Sequence, residues 1–197
     1  MLTRRTILAA ALLAPLALPA LAQEIGDDGL HKQPWFHDGF LEMGADLEDA
    51  AAEGKGLIVI FEQRGCPYCR ELHEVNYAIP EITAYQSANF YTVQLNLWGD
   101  RMVTDFDGEE LSEKELAQKW RVNFTPTLVF FSSDSAGVTS IDAAESFRMP
   151  GYFKPFHYGS GLEYVATGMY DQVGFQRFTR ARFIRFEEEG KNPSLWD

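Results

Sequence analysis

The chain has 197 residues, of which 46% are hydrophobic and 23% charged, and its net charge at pH 7 is −12. This length and composition are sufficient for one compact domain with a full core. The acidic charge argues against nucleic acid and anionic lipid surfaces as partners.

Residues 1–22 have the composition of a secretion signal. The pair Arg4-Arg5 precedes an apolar run over Ile7–Leu18, and the small-residue sequence Ala20-Leu21-Ala22 follows as a cleavage site. A bilayer span takes about twenty apolar residues, so this run is too short to be one. Paired arginines occur both in twin-arginine signals and in general secretory signals. We therefore expect cleavage after this segment, leaving 23–197 as a single periplasmic domain without stable membrane insertion.

Apolar periodicity and turn residues predict an α/β fold. In chain order, the predicted elements are a helix at 44–54, a buried strand at 57–61, helices at 67–78 and 80–87, a strand at 91–97, a hairpin around Asp107-Gly108, a helix from Ser112 to Trp120, strands at 127–131 and 145–149, and an aromatic-rich helical region at 152–186. This order predicts a sheet flanked by helices, with an inserted hairpin and a helical C-terminal extension.

The two cysteines of the chain form the motif Cys66-Pro67-Tyr68-Cys69, which predicts a redox centre. The thiols share one face at the start of a helix, where free backbone N–H groups lower a thiol pKa. There are three alternatives: a purely structural disulfide, a chance spacing of two cysteines, and half of a zinc site formed by the two cysteines with His73. A disulfide across so short a loop contributes only about 2 kcal/mol, and a structural zinc site needs four ligands. We therefore expect no metal or cofactor besides the redox-active Cys66–Cys69 disulfide.

Three features together resemble the thioredoxin family: the apolar strand before the cysteines, the helix after them, and Thr125-Pro126-Thr127 at the start of a later strand. The resemblance covers about 40–170 and implies a thioredoxin-like fold with a central mixed sheet. In that family the corresponding proline is cis and faces the cysteine pair. The resemblance therefore implies that Pro126 is cis and that Thr125 and Pro126 bind an extended substrate segment.

Longer stretches are similar to the periplasmic thioredoxins of bacterial sulfur-oxidation clusters, the SoxW group. They are Phe61–His73, Leu95–Gly99, Thr104–Gly108 and Met149–Tyr152. The similarity implies a reductant that passes electrons from a membrane thiol carrier to protein disulfides, with Cys66 as the exposed attacking thiol and Cys69 as the more buried resolving thiol. One alternative is an oxidant of the DsbA type, because residue patterns do not set the reduction potential. Another is a binding or chaperone module without turnover.

Two positions depart from the usual thioredoxin pattern. Gly65 stands where thioredoxin usually has tryptophan, and Ile60 stands where it has a buried acid. Glu62 is instead a candidate for proton transfer to Cys69, with an exposed strand-end acid as the alternative. The central dipeptide Pro67-Tyr68 is expected to modulate the redox centre. Its tyrosine is expected to pack over the disulfide or contact substrate, with a solvent-facing ring as the alternative.

Overall fold

The computed structural model describes residues 25–191 and 193, so the expected signal peptide at 1–22 lies outside the described residues. The helices are α1 (Met43–Ala52), α2 (Pro67–Glu71), α3 (Pro80–Asn89), α4 (Glu113–Lys119), α5 (Ile141–Ala144), α6 (Pro155–Ala166) and α7 (Phe175–Glu188). The strands are β1 (Gly56–Glu62), β2 (Phe90–Asn96), β3 (Met102–Thr104), β4 (Glu110–Ser112), β5 (Thr127–Phe131) and β6 (Glu145–Pro150). No helix in this part of the chain is both long and apolar enough to cross a membrane.

Four strands form one mixed sheet in the order β2-β1-β5-β6. β1 runs parallel to β2 and antiparallel to β5, and β5 runs antiparallel to β6. The two central strands are buried along their whole length, as their unbroken apolar sequences require. β3 and β4 form the inserted hairpin. The predicted α/β architecture, with its mixed sheet, hairpin and helical C-terminal region, is confirmed.

The sheet separates two hydrophobic cores, because successive residues of a strand point to opposite faces. In β1 the odd-numbered residues of Leu57–Phe61 belong to the first core, beneath α1 and α4. Ile58 and Ile60 belong to the second core, beneath α3 and α6. Glu62 continues the alternation of Ile58 and Ile60, so its side chain lies on the face of the sheet that carries the second core.

The helix predicted over 67–78 is only partly α-helical. α2 ends at Glu71, and Leu72–Asn76 form a π-helical turn. There the N–H of Tyr77 donates to the carbonyl of Leu72, five residues back, at 3.0 Å. Over so few residues, apolar spacing does not distinguish a π turn from an α turn, so the prediction missed it.

Residues 25–42, hereafter the N-terminal segment, precede α1 and pack against the rest of the fold without forming a long helix or strand. The N–H of His37 donates to the carbonyl of Thr92 in β2 at 2.8 Å. The ring of Trp35 meets that of Tyr77 edge-on, with 5.0 Å between centroids. The segment therefore covers part of the second core near the π turn.

Arg182 attaches α7 to the rest of the fold. Its side chain is buried and its Nε donates to the Glu163 carboxylate of α6 at 2.7 Å. The guanidinium also lies over the rings of Phe156 and Phe186, at 5.0 and 4.4 Å from their centroids. The ion pair and the cation–π contacts therefore join α7 to α6 through one buried guanidinium.

Candidate active site

The cysteine pair lies where β1 passes into α2. The connection includes Gly65 at φ +72°, a backbone conformation that glycine adopts without a Cβ clash. Cys66 caps α2: its Sγ accepts a hydrogen bond from the N–H of Cys69 at 3.0 Å, and Pro67 occupies the first turn. The two cysteines form a disulfide, with 5.2 Å between their Cα atoms. The sequence correctly predicted this pairing at a helix start.

Cys66 is less accessible than predicted. Its exposed fraction is 6% and that of Cys69 is 1%, so Cys69 is the more buried of the two, but the expectation of an exposed Cys66 is wrong. Cys66 lines an open cavity of about 480 Å³, together with Gly29, His31 and other residues. The N-terminal segment supplies one wall of that cavity. The cavity is open to solvent next to Cys66.

Thr125 and Pro126 come to the cysteine pair from the start of β5. The peptide bond between them is cis, which confirms the predicted geometry. Thr125 is buried, its Oγ1 donates to Cys66 Sγ at 3.3 Å, and its carbonyl oxygen lies 3.6 Å from the same sulfur. Because β5 neighbours β1 in the sheet, the fold brings together residues far apart in sequence. Their binding of substrate stays a prediction.

Glu62 is 1% exposed, so the alternative of an exposed strand-end acid is wrong. Its oxygens lie 3.0 and 3.2 Å from Nε2 of His73, and one of them also accepts from Nε2 of Gln94. Gln94 lies on β2 opposite Ile60, and thus on the same face of the sheet as Glu62. Two donors therefore satisfy a carboxylate that water does not reach.

His73, which the sequence analysis considered only as a zinc ligand, is the site residue whose contact with Glu62 the sequence did not indicate. It follows Cys69 by four residues and is 2% exposed. Its Nδ1 lies 3.1 Å from the side-chain nitrogen of Gln33, which donates. Nδ1 must then accept, and Nε2 carries the proton that is donated to Glu62. Both ring nitrogens of His73 are thus engaged, and the two sulfurs are bonded to each other.

Charged groups of the N-terminal segment extend this network toward solvent. Lys32 donates to Oε1 of Gln94 at 2.9 Å and pairs with Asp28 at 2.6 Å. Burial raises the pKa of Asp28, but hydrogen bonds from Lys32 and the N–H of Leu30 outweigh it, and the pKa is lowered. Burial lowers the pKa of His31, which favours its neutral form.

Three exposed aromatic residues lie near the site. One is within the cysteine motif, one directly precedes Thr125, and one contacts Gln63, three residues before Cys66. Tyr68 is 58% exposed, which agrees with a solvent-facing ring, and it lies parallel to Tyr152 with 6.3 Å between centroids. Phe124, directly before Thr125, is also exposed. Exposed Trp98 donates from Nε1 to the side chain of Gln63 at 2.7 Å.

Comparison with known proteins places this geometry in a family. Residues 43–166 match the model for a thioredoxin-like domain. A search of curated proteins found no match. Among solved structures, a thioredoxin-fold protein from Helicobacter pylori is 22% identical, with 75% of this chain and 95% of that chain covered and a TM-score of 0.51.

Two further solved structures are less similar in shape. A thioredoxin from Thermus thermophilus is 24% identical, with 63% of this chain and 83% of that chain covered and a TM-score of 0.49. The oxidised C-terminal domain of DsbD from Neisseria meningitidis is 15% identical, with 62% and 89% covered and a TM-score of 0.44. At such identities a likeness concerns the fold alone. The family match, however, spans more than half of the sequence, and the chain therefore belongs to the thioredoxin-like domain family.

Proposed function

We propose that this protein is a thiol–disulfide oxidoreductase that works by dithiol exchange through Cys66 and Cys69. The observation that carries the proposal is the Cys66–Cys69 disulfide at the start of α2, with Thr125 in contact with Cys66. The disulfide takes up two electrons and two protons when it becomes two thiols. The pair is therefore its own redox group, and the proposed reaction needs no further cofactor.

In the proposed first step, the thiolate of reduced Cys66 attacks a substrate disulfide. A mixed disulfide forms, the substrate S–S bond breaks, and the first substrate thiolate leaves and takes a proton from solvent. The N–H of Cys69 lies 3.0 Å from Cys66 Sγ and would stabilise the attacking thiolate by a charge-assisted hydrogen bond. In the second step, Cys69 loses its proton and attacks Cys66. The protein disulfide forms, and the second substrate thiolate leaves.

Glu62 is the proposed acceptor of the Cys69 proton. Four carboxylates in the described part of the chain are buried, namely Asp46, Glu62, Asp105 and Glu113. Of these, Glu62 is the one hydrogen-bonded to the helical segment that carries Cys69, through His73 one turn further along. A buried base facing this segment supports proton removal where water has no access.

Protein disulfides are the proposed substrates. Thr125 and Pro126 offer backbone groups to an extended segment beside Cys66, and the exposed rings of Tyr68, Trp98 and Phe124 offer apolar contact area to a protein surface. The net charge of −12 favours proteins over nucleic acid as partners.

The proposed direction is reduction, in the periplasm. It is supported by the signal-like sequence at 1–22 and by the similarity of the chain to the SoxW group. In this role the protein receives electrons from a membrane thiol carrier, acts in the oxidation of sulfur compounds, and is exported through a cleaved signal.

Insulin-disulfide reduction tests the proposed chemistry. We expect the unmodified protein to reduce insulin, Cys66→Ser to abolish turnover, and Cys69→Ser to accumulate the mixed disulfide. Ala181→Ser, on the exposed face of α7, is the matched control and should retain full activity. Activity that survives Cys66→Ser would reject the catalytic role, and inactivity of the unmodified protein would favour a binding module. A reduction potential of about −120 mV would favour a DsbA-type oxidant over a reductant.

A further inference from the structure

The cavity of about 480 Å³ next to Cys66, hereafter the Cys66 cavity, has a positively charged lining. Two arginines line it, Arg64 and Arg70, and no aspartate or glutamate of the described residues does. The chain as a whole has the opposite balance, with 29 acidic side chains against 17 lysines and arginines. The charge beside the reactive sulfur therefore differs in sign from the charge of the molecule.

Two other cavities of similar size do not have this excess of positive charge. In the cavity of about 460 Å³ beside β6, both arginines pair with acids of the same lining, Arg121 with Asp142 and Arg148 with Glu145. In the cavity of about 500 Å³ beside α6 and α7, the arginines share the carboxylate of Glu163. Arginines that line a cavity without an acid are thus a property of the Cys66 cavity among these three.

The N-terminal segment holds Arg64 at the wall of the Cys66 cavity. Nη2 of Arg64 donates to the backbone carbonyl of Asp27 at 3.1 Å. The side chain lies against Gly29, which has φ +78°, and a Cβ at that position would collide with it. One neutral acceptor occupies only one of the five N–H groups of a guanidinium. Arg64 is therefore fixed in place and keeps donors for a ligand.

Arg70 reaches the cavity from α2. Its N–H donates to the carbonyl of Cys66 at 3.1 Å, so its side chain lies one helical turn from Cys66 and on the same side of the helix. Its Nε lies 3.7 Å from Oε2 of Glu74, which is too long for a hydrogen bond. Both side chains of this pair are more than half exposed, and Glu74 does not line the cavity. Such a pair is weak, so the Arg70 guanidinium remains available to a ligand.

The other titratable groups of the N-terminal segment near the cavity do not change its charge. His31 lines the cavity, and burial lowers its pKa, so the ring is neutral at neutral pH. Asp28 pairs with Lys32 and does not line the cavity. The charge of the lining is therefore that of the two arginines.

A substrate carboxylate is the group that this lining is suited to bind. Guanidinium groups bind carboxylates through two parallel N–H donors. An anionic substrate is repelled by the thiolate of reduced Cys66, and two cations in the same cavity offset that repulsion. The net charge of the whole molecule is screened beyond about 8 Å at physiological salt. Close to the sulfur, the local arginines thus outweigh the distant acids.

We propose that Arg64 and Arg70 are specificity-determining residues that select protein disulfides with an aspartate or glutamate next to the reacting cysteine. This inference rests on the proposed function and names its substrate class. The acidic side chain lies in the Cys66 cavity while the Cys66 thiolate attacks the neighbouring sulfur, the substrate S–S bond breaks and the mixed disulfide forms. Because the contact exists before and during the attack, it raises the second-order rate constant of exchange.

Three peptide disulfides test the proposal; they are identical except that glutamate, glutamine or lysine flanks the cysteine on both sides. Pre-reduced protein is mixed with each peptide, and the released peptide thiol gives the second-order rate constant. An exposed contact between an arginine and a carboxylate is expected to change this constant by about two- to fivefold. In the double variant Arg64→Gln/Arg70→Gln, the ratio of the glutamate-peptide rate to the glutamine-peptide rate should therefore fall by about 4- to 25-fold, and the lysine peptide should gain relative to both.

Two further double variants are the controls. Arg177→Gln/Arg180→Gln removes two exposed arginines of α7, so it changes the net charge by the same amount, and it should leave the ratio unchanged. Arg64→Lys/Arg70→Lys keeps the charge in the cavity and should retain most of the preference. In the unmodified protein, raising the salt concentration from about 50 to about 500 mM should reduce the preference, because salt screens exposed charges.

The ratio decides the test, because the two cations also favour the Cys66 thiolate, and that effect is the same for all three peptides. Equal slowing of the three peptides in Arg64→Gln/Arg70→Gln would overturn the proposal, as would an equal fall of the ratio in the α7 control. Circular dichroism verifies that each variant is folded. Failure of the unmodified protein to reduce any of the peptides or insulin would overturn the proposed function instead, so the two failures are distinguishable.

Discussion

Replacing His73 with leucine removes one hydrogen bond to Glu62 and keeps a side chain of similar volume. His73 and Glu62 are 2% and 1% exposed, and His73 Nε2 lies 3.0 and 3.2 Å from the two carboxylate oxygens. Water therefore has no access to replace the lost donor. Gln94 would remain as a side-chain donor to the carboxylate.

The expected cost follows from the charge and burial of Glu62. A hydrogen bond to a charged group contributes about 1.5–3 kcal/mol, and the loss is largest where burial keeps water from replacing the donor. Because Gln94 still donates, we expect His73→Leu to lower the free energy of unfolding by about 3 kcal/mol. Glu62→Gln removes the charge that needs the donor, so in that background His73→Leu should cost only about 1 kcal/mol. The expected coupling energy is therefore about 2 kcal/mol.

Urea unfolding followed by circular dichroism gives the unfolding free energies for this double-mutant cycle. It is measured on the oxidised form of the unmodified protein, the two single variants and the double variant. His157→Leu is the matched control, because it makes the same change at an exposed position of α6, and it should alter stability by less than about 0.5 kcal/mol. The reasoning would be refuted by a coupling energy below about 0.5 kcal/mol, or by a His73→Leu cost no larger than that of the control.

Two further predictions concern groups away from the cysteine pair. Burial raises the pKa of Asp46 above its ordinary value of 3.8, against the opposing charge of His37. The folded chain then binds more protons than the unfolded chain above pH 3.8, so the Asp46 contribution to stability falls as pH rises. Urea unfolding at several pH values should show that the unfolding free energy of Asp46→Asn declines less with rising pH than that of the unmodified protein. Parallel plots of unfolding free energy against pH for the two proteins would contradict this. Arg182→Leu should lower the unfolding free energy by about 2–3 kcal/mol through loss of the buried pair with Glu163, whereas exposed Arg180→Leu should change it little in the same measurement.

Features that depend on neighbouring residues were predictable from the sequence. The buried strand β1 follows from an unbroken apolar run, and the helix start at Ser112 follows from its capping box with Glu115. The cysteine pair and its place at a helix start follow from spacing alone. The cis bond before Pro126 was expected from the family resemblance and not from the local sequence. The π turn was missed, because its apolar spacing resembles that of an α-helix.

Tertiary contacts decided which residues surround the cysteine pair and Glu62. The restricted access to Cys66 and the burial of Glu62 depend on what packs over them, including the N-terminal segment, for which the sequence predicted no role. The contacts of Lys32 with Gln94 and of Gln33 with His73 join residues 62 and 40 positions apart. The sequence alone determined the main helices and strands and the sulfur pair, because periodicity and spacing act within a few residues. Only the tertiary structure decided which polar groups reach the buried carboxylate, because the packing of distant segments sets those contacts.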